Sequence, residues 1–211
     1  MNSTDGRIRM EAWSPPNEKW LNVEITAYAK IVNSTNNLLQ MYSRGGHHSD
    51  NNQCIRSAYK GRLYGDGHIT FVKEVTHPAH TSNKGSLQAT TTPLKDRWVG
   101  FNVVIHNFVQ NGKTYVHMES YIENDVTGAN GNLVIKNNLM LASFLEDKGG
   151  WSTTNSDFNA SCFPVNKDST QKYRQRDEIL NLPGGTSTQN IAAFRSDSLT
   201  WNFKYPSVRE I

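Results

Sequence analysis

Three groups of residues could carry chemistry by type and spacing. In Arg44-Gly45-Gly46-His47-His48, an arginine able to hold a carboxylate bidentately precedes two glycines that let a ligand approach the backbone. The two imidazoles that follow can trade protons near neutral pH. Strand alternation extends this group backwards, because Gln40 and Tyr42 share a side with Arg44. In the second group, Tyr115, His117, Glu119 and Tyr121 recur every second residue, which on a strand lines them along one face at about 7 Å per step. Aromatic faces suit the apolar faces of sugar rings, and the polar groups between them suit hydroxyls. The third group, Lys60, Arg62 and Lys73 with Tyr59 beside them, adds positive charge on neighbouring segments and with Arg44 would make a cleft basic. Each group also has a plain reading: a solvated loop, the wet face of a sheet, and lysines that protect sheet edges.

Other chemistries lack their residues. The chain has no Gly-x-Ser-x-Gly, no phosphate-binding loop, no dinucleotide fingerprint and no His-Glu-x-x-His. His77 and His80 could join His117 around a metal, but no Cys or Asp spacing completes a zinc site, so no metal ligand is assigned. For glycosidase chemistry, which needs two carboxylates across the bond, Glu119 has Glu24 or Glu74 as a partner.

Composition narrows the partners. The 211 residues carry 22 Lys+Arg against 19 Asp+Glu, and a net charge of +3 is too weak to mark a nucleic-acid binder. No apolar run approaches the roughly 18 residues of a membrane helix, so no membrane partner is expected. Cys54 and Cys162 allow one disulfide or two reduced thiols. Sequons at Asn2, Asn33 and Asn159 fit export, although a chain rich in Asn, Ser and Thr also produces them by chance. The first six residues have neither a basic nor an apolar leader region, which fits a cytosolic chain or a mature secreted domain trimmed of its signal.

The elements that must position these groups are strands. Period-2 alternation dominates over residues 21–31, 38–44, 59–64, 68–75, 98–109, 114–123, 133–144 and 199–211, and only residues 171–182 hold a weak helical stripe. Asn111-Gly112 predicts a tight hairpin between 98–109 and 114–123, and Gly65-Asp66-Gly67 predicts a second one. In 114–123, Val116, Met118 and Ile122 should face the core, which leaves the Tyr115–His117–Glu119–Tyr121 ladder outside. Many long antiparallel strands in a single domain of 211 residues suit a two-sheet sandwich or jelly roll with a concave binding face.

Taken together, Tyr42-Ser43-Arg44-Gly45-Gly46-His47-His48, Ser57-Ala58-Tyr59-Lys60-Gly61, Phe71-Val72-Lys73-Glu74, Arg97-Trp98-Val99-Gly100-Phe101 and Trp201-Asn202-Phe203-Lys204-Tyr205 resemble the concanavalin A-like lectin/glucanase superfamily. Within it the chain is similar to small jelly-roll polysaccharide lyases and carbohydrate-binding domains. The alginate-lyase Gln-Ile-His and Tyr-Phe-Lys-Ala-Gly signatures are absent, as is the retaining-glucanase Glu-x-Asp-x-x-Glu. The resemblance implies a secreted or extracellular, monomeric domain that binds an acidic, uronate-containing polysaccharide and cleaves it by β-elimination. No cofactor is required for that reaction, though a structural Ca²⁺ is common in similar folds. The expected roles are carboxylate neutralisation by Arg44, proton abstraction by His48 or His117, proton donation by Tyr121 or Tyr59, and anion binding by Lys60 and Lys73. Gln40, Tyr42, Tyr115 and Glu119 complete the expected groove. The alternatives are a non-catalytic carbohydrate-binding domain and a glycoside hydrolase using Glu119.

Overall fold

Alternating apolar side chains force strands to bury one face, and two such sheets bury theirs against each other. The computed structural model describes residues 7–18, 20–33, 38–45, 58–74, 76–148, 151, 191–197 and 200–211. His48, Cys54, Cys162 and residues 171–182 lie outside them. Among the described residues there are eleven strands: β1 (Arg7–Trp13), β2 (Val23–Asn33), β3 (Leu38–Gly45), β4 (Ala58–Tyr64), β5 (His68–Glu74), β6 (Lys84–Gln88), β7 (Trp98–Gln110), β8 (Lys113–Glu123), β9 (Met140–Asp147), β10 (Ile191–Asp197) and β11 (Thr200–Glu210). They pair antiparallel throughout, as a first sheet of order β1-β10-β3-β4-β5-β6 and a second of order β11-β2-β7-β8-β9. The chain is an all-β, two-sheet antiparallel sandwich.

The core lies between the sheets. The first sheet contributes Leu39, Met41, Leu63, Ile69, Phe71, Ala192 and Phe194; the second contributes Val23, Ile25, Ile31, Phe101, Val103, Ile105, Val116, Met118, Ile122 and Trp201. The expected facing of β8 is therefore the observed one. Asn111 and Gly112 both take positive φ (53° and 70°), the geometry of a tight two-residue turn whose twist matches its strands. That turn sets the β7–β8 register, Gln110 opposite Lys113 and onward to Gly100 opposite Glu123.

Three strands were not anticipated. β1 and β10 pair only with strands distant in sequence, and β6 is short and almost wholly exposed. In β11 the alternation holds for Trp201 but fails at Tyr205, which is exposed with φ of 51° where the register with β2 shifts between Lys204 and Ser207. The bulge there turns Tyr205 away from the core.

Candidate functional site

The residues expected to share one groove occupy three places. A β-sandwich has two outward faces on opposite sides of its core, and the expected set is divided between both faces and the interior.

Arg44 is in the interior. Register runs Ala192 to Ser43 and then Ile191 to Gly45, so Arg44 is the extra residue of a bulge, with φ of 69°. A bulge interrupts the alternation that would have kept Arg44 beside Gln40 and Tyr42. Its side chain is fully buried, donates from Nη1 to Asn107 Oδ1 of the second sheet at 2.7 Å, and lies 5.8 Å from the centre of the Tyr59 ring. Tyr59 and Lys73 also point inward, because odd residues of β4 and β5 face the core. Lys73 Nζ meets Asp147 Oδ2 at 2.7 Å, and the Tyr59 hydroxyl donates to the same oxygen at 2.8 Å. Trp151 closes edge-on against Tyr59, ring centres 6.3 Å apart. This cluster ties β3 to β7, and β4 and β5 to β9, across the core. The expected substrate contacts of Arg44, Tyr59 and Lys73 are thereby replaced by contacts between the sheets.

Gln40, Tyr42 and Lys60 lie on the outward face of the first sheet, as even residues of β3 and β4. The register places Arg9, Arg195, Gln40 and Arg62 in one row across β1, β10, β3 and β4. A second row runs Glu11, Ala193, Tyr42, Lys60. Arg62 is held by Gln40 Oε1 (Nε, 3.1 Å) and Asn83 Oδ1 (Nη1, 3.0 Å). Lys60 pairs with Glu74, lies 5.6 Å from the centre of the Tyr42 ring, and shares Glu74 with His77, whose Nδ1 is 2.9 Å from the other carboxylate oxygen. Burial pushes the Lys60 ammonium below its ordinary range; Glu74 opposes that, while Arg62 and Arg195 add to it. Burial also lowers Arg62, with Arg195 acting in the same direction. Lys60 and Glu74 are buried, whereas Arg9, Arg62 and Arg195 are partly exposed.

Tyr115, His117, Glu119 and Tyr121 line the outward face of the second sheet, half-buried as alternation requires. The Tyr121 hydroxyl donates to Glu119 Oε2 at 2.6 Å, and that bond, followed by burial, pushes the phenol up to about 12. Opposite them on β7 stand His106 and Phe108, and on β9 Phe144 and Glu146. The His117 ring is stacked on Phe144 (centres 5.8 Å apart, planes at 15°) and meets Phe108 edge-on. Glu24 shares this face two strands away, bound to Arg209 and to the Asn102 amide, whereas Glu74 is on the other sheet and unavailable to Glu119. His77 and His80 likewise flank the first sheet, so neither can share a metal with His117.

Arg9, Glu11 and Arg195 were missed because β1 and β10 were not recognised as strands, although the alternation of Ile8, Met10 and Ala12 against Arg9, Glu11 and Trp13 was there to be read. No protein-family model matches the chain, and no curated protein matches it.

Proposed function

We propose that the chain binds an acidic, uronate-containing polysaccharide across the outward face of the first sheet, and that this face rather than the β8 ladder carries polyanion recognition. The supporting observation is the row Arg9–Arg195–Gln40–Arg62. Like charges directly opposite on paired strands destabilise a sheet, and Arg9 faces Arg195. On the same face Glu74 is engaged by Lys60 and His77, and Arg62 is held by the neutral amides of Gln40 and Asn83. Arg9 and Arg62 stand three strand spacings apart, about 14 Å, which suits an extended polymer better than a single small anion. Arginine forks hold carboxylates, while Gln40 and Tyr42 are buried and act on the cations rather than on the ligand: Gln40 Oε1 accepts from Arg62, and the Tyr42 ring lies beside Lys60.

Cleavage by β-elimination is a second reading, favoured by Lys60. Burial lowers its basicity, the direction a lysine general base needs, and the amine would act once its pairing with Glu74 opens. The amine would take the C5 proton of a uronate whose carboxylate an arginine neutralises. The C4–C5 double bond forms as the C4–oxygen bond breaks, and the departing oxygen takes a proton from a neighbouring acid such as His77.

The test is binding to alginate, polyglucuronate and pectate, with a neutral glucan and single-stranded DNA as comparisons. Affinity for the uronate polymers should fall as salt rises. Arg195→Ala should weaken them by about tenfold or more, the value of one charge-assisted hydrogen bond, and leave the glucan unaffected. Equal binding of acidic and neutral polymers, tighter binding of DNA, or an unaltered Arg195→Ala variant would overturn the reading. Ultraviolet absorbance of an unsaturated uronate product reports the elimination separately.

A further inference from the structure

The outward face of the second sheet holds a different chemistry, independent of the polyanion reading. Among the described residues, His106, His117 and Glu119 bring ligand atoms within 4.8 Å of one another. The geometry points to a binding site for a divalent transition metal, zinc in the first instance, built from His106, His117 and Glu119 on the β7–β8 hairpin. His106 and His117 are direct cross-strand partners, with ring centres 4.9 Å apart, and Glu119 follows His117 on the same face of β8. His117 Nε2 and Glu119 Oε1 are 3.1 Å apart. Two donors each 2.0–2.1 Å from a tetrahedral zinc ion are separated by about 3.3 Å, so this pair already stands at ligand spacing.

The surroundings orient the same three groups. His106 Nδ1 lies 3.2 Å from the Asn107 carbonyl oxygen, a contact that protonates Nδ1 and leaves the lone pair on Nε2. Glu146 Oε1 stands 3.7 Å from His117 Nδ1, on the side of the ring away from Glu119, where an outer carboxylate favours the tautomer whose Nε2 binds metal. Tyr121 holds the other oxygen of Glu119. Phe144 and Phe108 wall the His117 ring and restrict its rotation. Lys148 is bound to Glu146 at 2.7 Å and lies over the Phe108 ring, which offsets its repulsion of a metal.

Two imidazoles and a carboxylate select zinc, copper, nickel or iron over calcium and magnesium, which prefer all-oxygen sites. Three protein ligands leave at least one position for water or an incoming oxygen ligand. All three ligands sit on one hairpin, so metal binding should also staple β7 to β8.

Titration of the intact chain with Zn²⁺ by calorimetry, and with Co²⁺ by visible absorption, should give one site of low coordination number and a rise in melting temperature. Ca²⁺ and Mg²⁺ should give neither. His106→Ala, His117→Ala and Glu119→Gln should each weaken Zn²⁺ by about tenfold or more, and Glu146→Gln by a smaller factor within the range typical of outer-shell partners. In the unmodified protein, substoichiometric Cu²⁺ should broaden amide resonances of β7 and β8 before those around His68, His77 or His80, a readout that no misfolded variant can confuse. Absence of stoichiometric Zn²⁺ binding, Zn²⁺ affinity that survives both histidine substitutions, or Cu²⁺ broadening centred elsewhere would overturn the assignment.

Discussion

Replacing Lys73 by methionine separates a structural lysine from a ligand-binding one. Lys73 is 1% exposed, and its ammonium sits 2.7 Å from Asp147, which is fully buried. Methionine keeps the unbranched apolar stem and removes the ammonium group, so the variant leaves the Asp147 carboxylate between two sheets without its Lys73 charge partner, the Tyr59 hydroxyl still donating to it. Removing one partner of a buried ion pair costs about 3–5 kcal/mol, whereas replacing both partners by well-packed apolar groups is often close to neutral. Lys73→Met should therefore lose about 3–5 kcal/mol, a fall of roughly 6–20 °C in melting temperature for a domain of this size. Adding Asp147→Leu to the variant should restore part of the loss, limited by the Tyr59 hydroxyl now lacking its Asp147 acceptor, and Tyr59→Phe should restore more. Urea unfolding followed by tryptophan fluorescence measures each step, provided the slope with denaturant is unchanged. Below its melting temperature Lys73→Met should bind uronate polymers as the unmodified chain does, because Lys73 and the arginine row lie on opposite faces of the first sheet. A loss under about 1 kcal/mol together with weakened polymer binding would refute the inward placement and restore Lys73 to the binding face.

Gly61 of β4 sits against β7, where an added Cβ would lie 2.6 Å and 3.0 Å from the two methyl groups of Val103. Valine has little rotamer freedom to withdraw them, so Gly61→Ala should cost about 1–3 kcal/mol in the same unfolding assay, and an unchanged midpoint would mean that the sheets can separate there. Tyr28 and Tyr121 each donate to a carboxylate, Glu123 at 3.0 Å and Glu119 at 2.6 Å, and both phenols are pushed up to about 12, Tyr28 chiefly by burial. Both should ionise late in a spectrophotometric titration. A raised phenol pKa stabilises the fold below the ordinary value of 10.0, and that contribution should vanish as pH rises from there through about 12. Tyr121→Phe should remove one of the late steps; a single ionisation of all phenols near the ordinary value would contradict both hydrogen bonds.

How much of this could be read from sequence depended on whether a local signal fixed the register. Alternation identified β2, β3, β4, β5, β7, β8 and β11, and the inward set Val116, Met118 and Ile122 followed from it. Asn111-Gly112 carried more than was drawn from it. A two-residue turn at those positions pairs Gln110 with Lys113, and counting back along both arms puts His106 opposite His117, so the histidine pair was legible without coordinates. The groove failed for two different reasons. Arg44 left its expected face through a bulge opposite β10, and alternation cannot anticipate a residue inserted against a partner strand some 150 positions later. Lys73 and Tyr59 alternate as expected, but cations and hydroxyls pattern as outward-facing groups, so inward polar residues were assigned to solvent.

The three polar layers have different physical requirements, and those requirements separate their roles. Between the sheets, Arg44 through Nη1 meets Asn107, and Lys73 and Tyr59 meet Asp147, at 2.7–2.8 Å, contacts that hold the two sheets to each other. On the second sheet, ligand atoms of His106, His117 and Glu119 lie within 4.8 Å of one another, and Tyr121, Glu146 and the two phenylalanines restrict their movement, an arrangement that would suit a small, directional ligand. On the first sheet the arginines are spread along a row rather than converging, and Glu74 on the same face is engaged by Lys60 and His77. A spread row of like charges has no shared focus for a metal or a lone phosphate. Its repulsion falls when several anions of one chain lie along it, and a polyanion bound there should stabilise the fold as well as occupy the face.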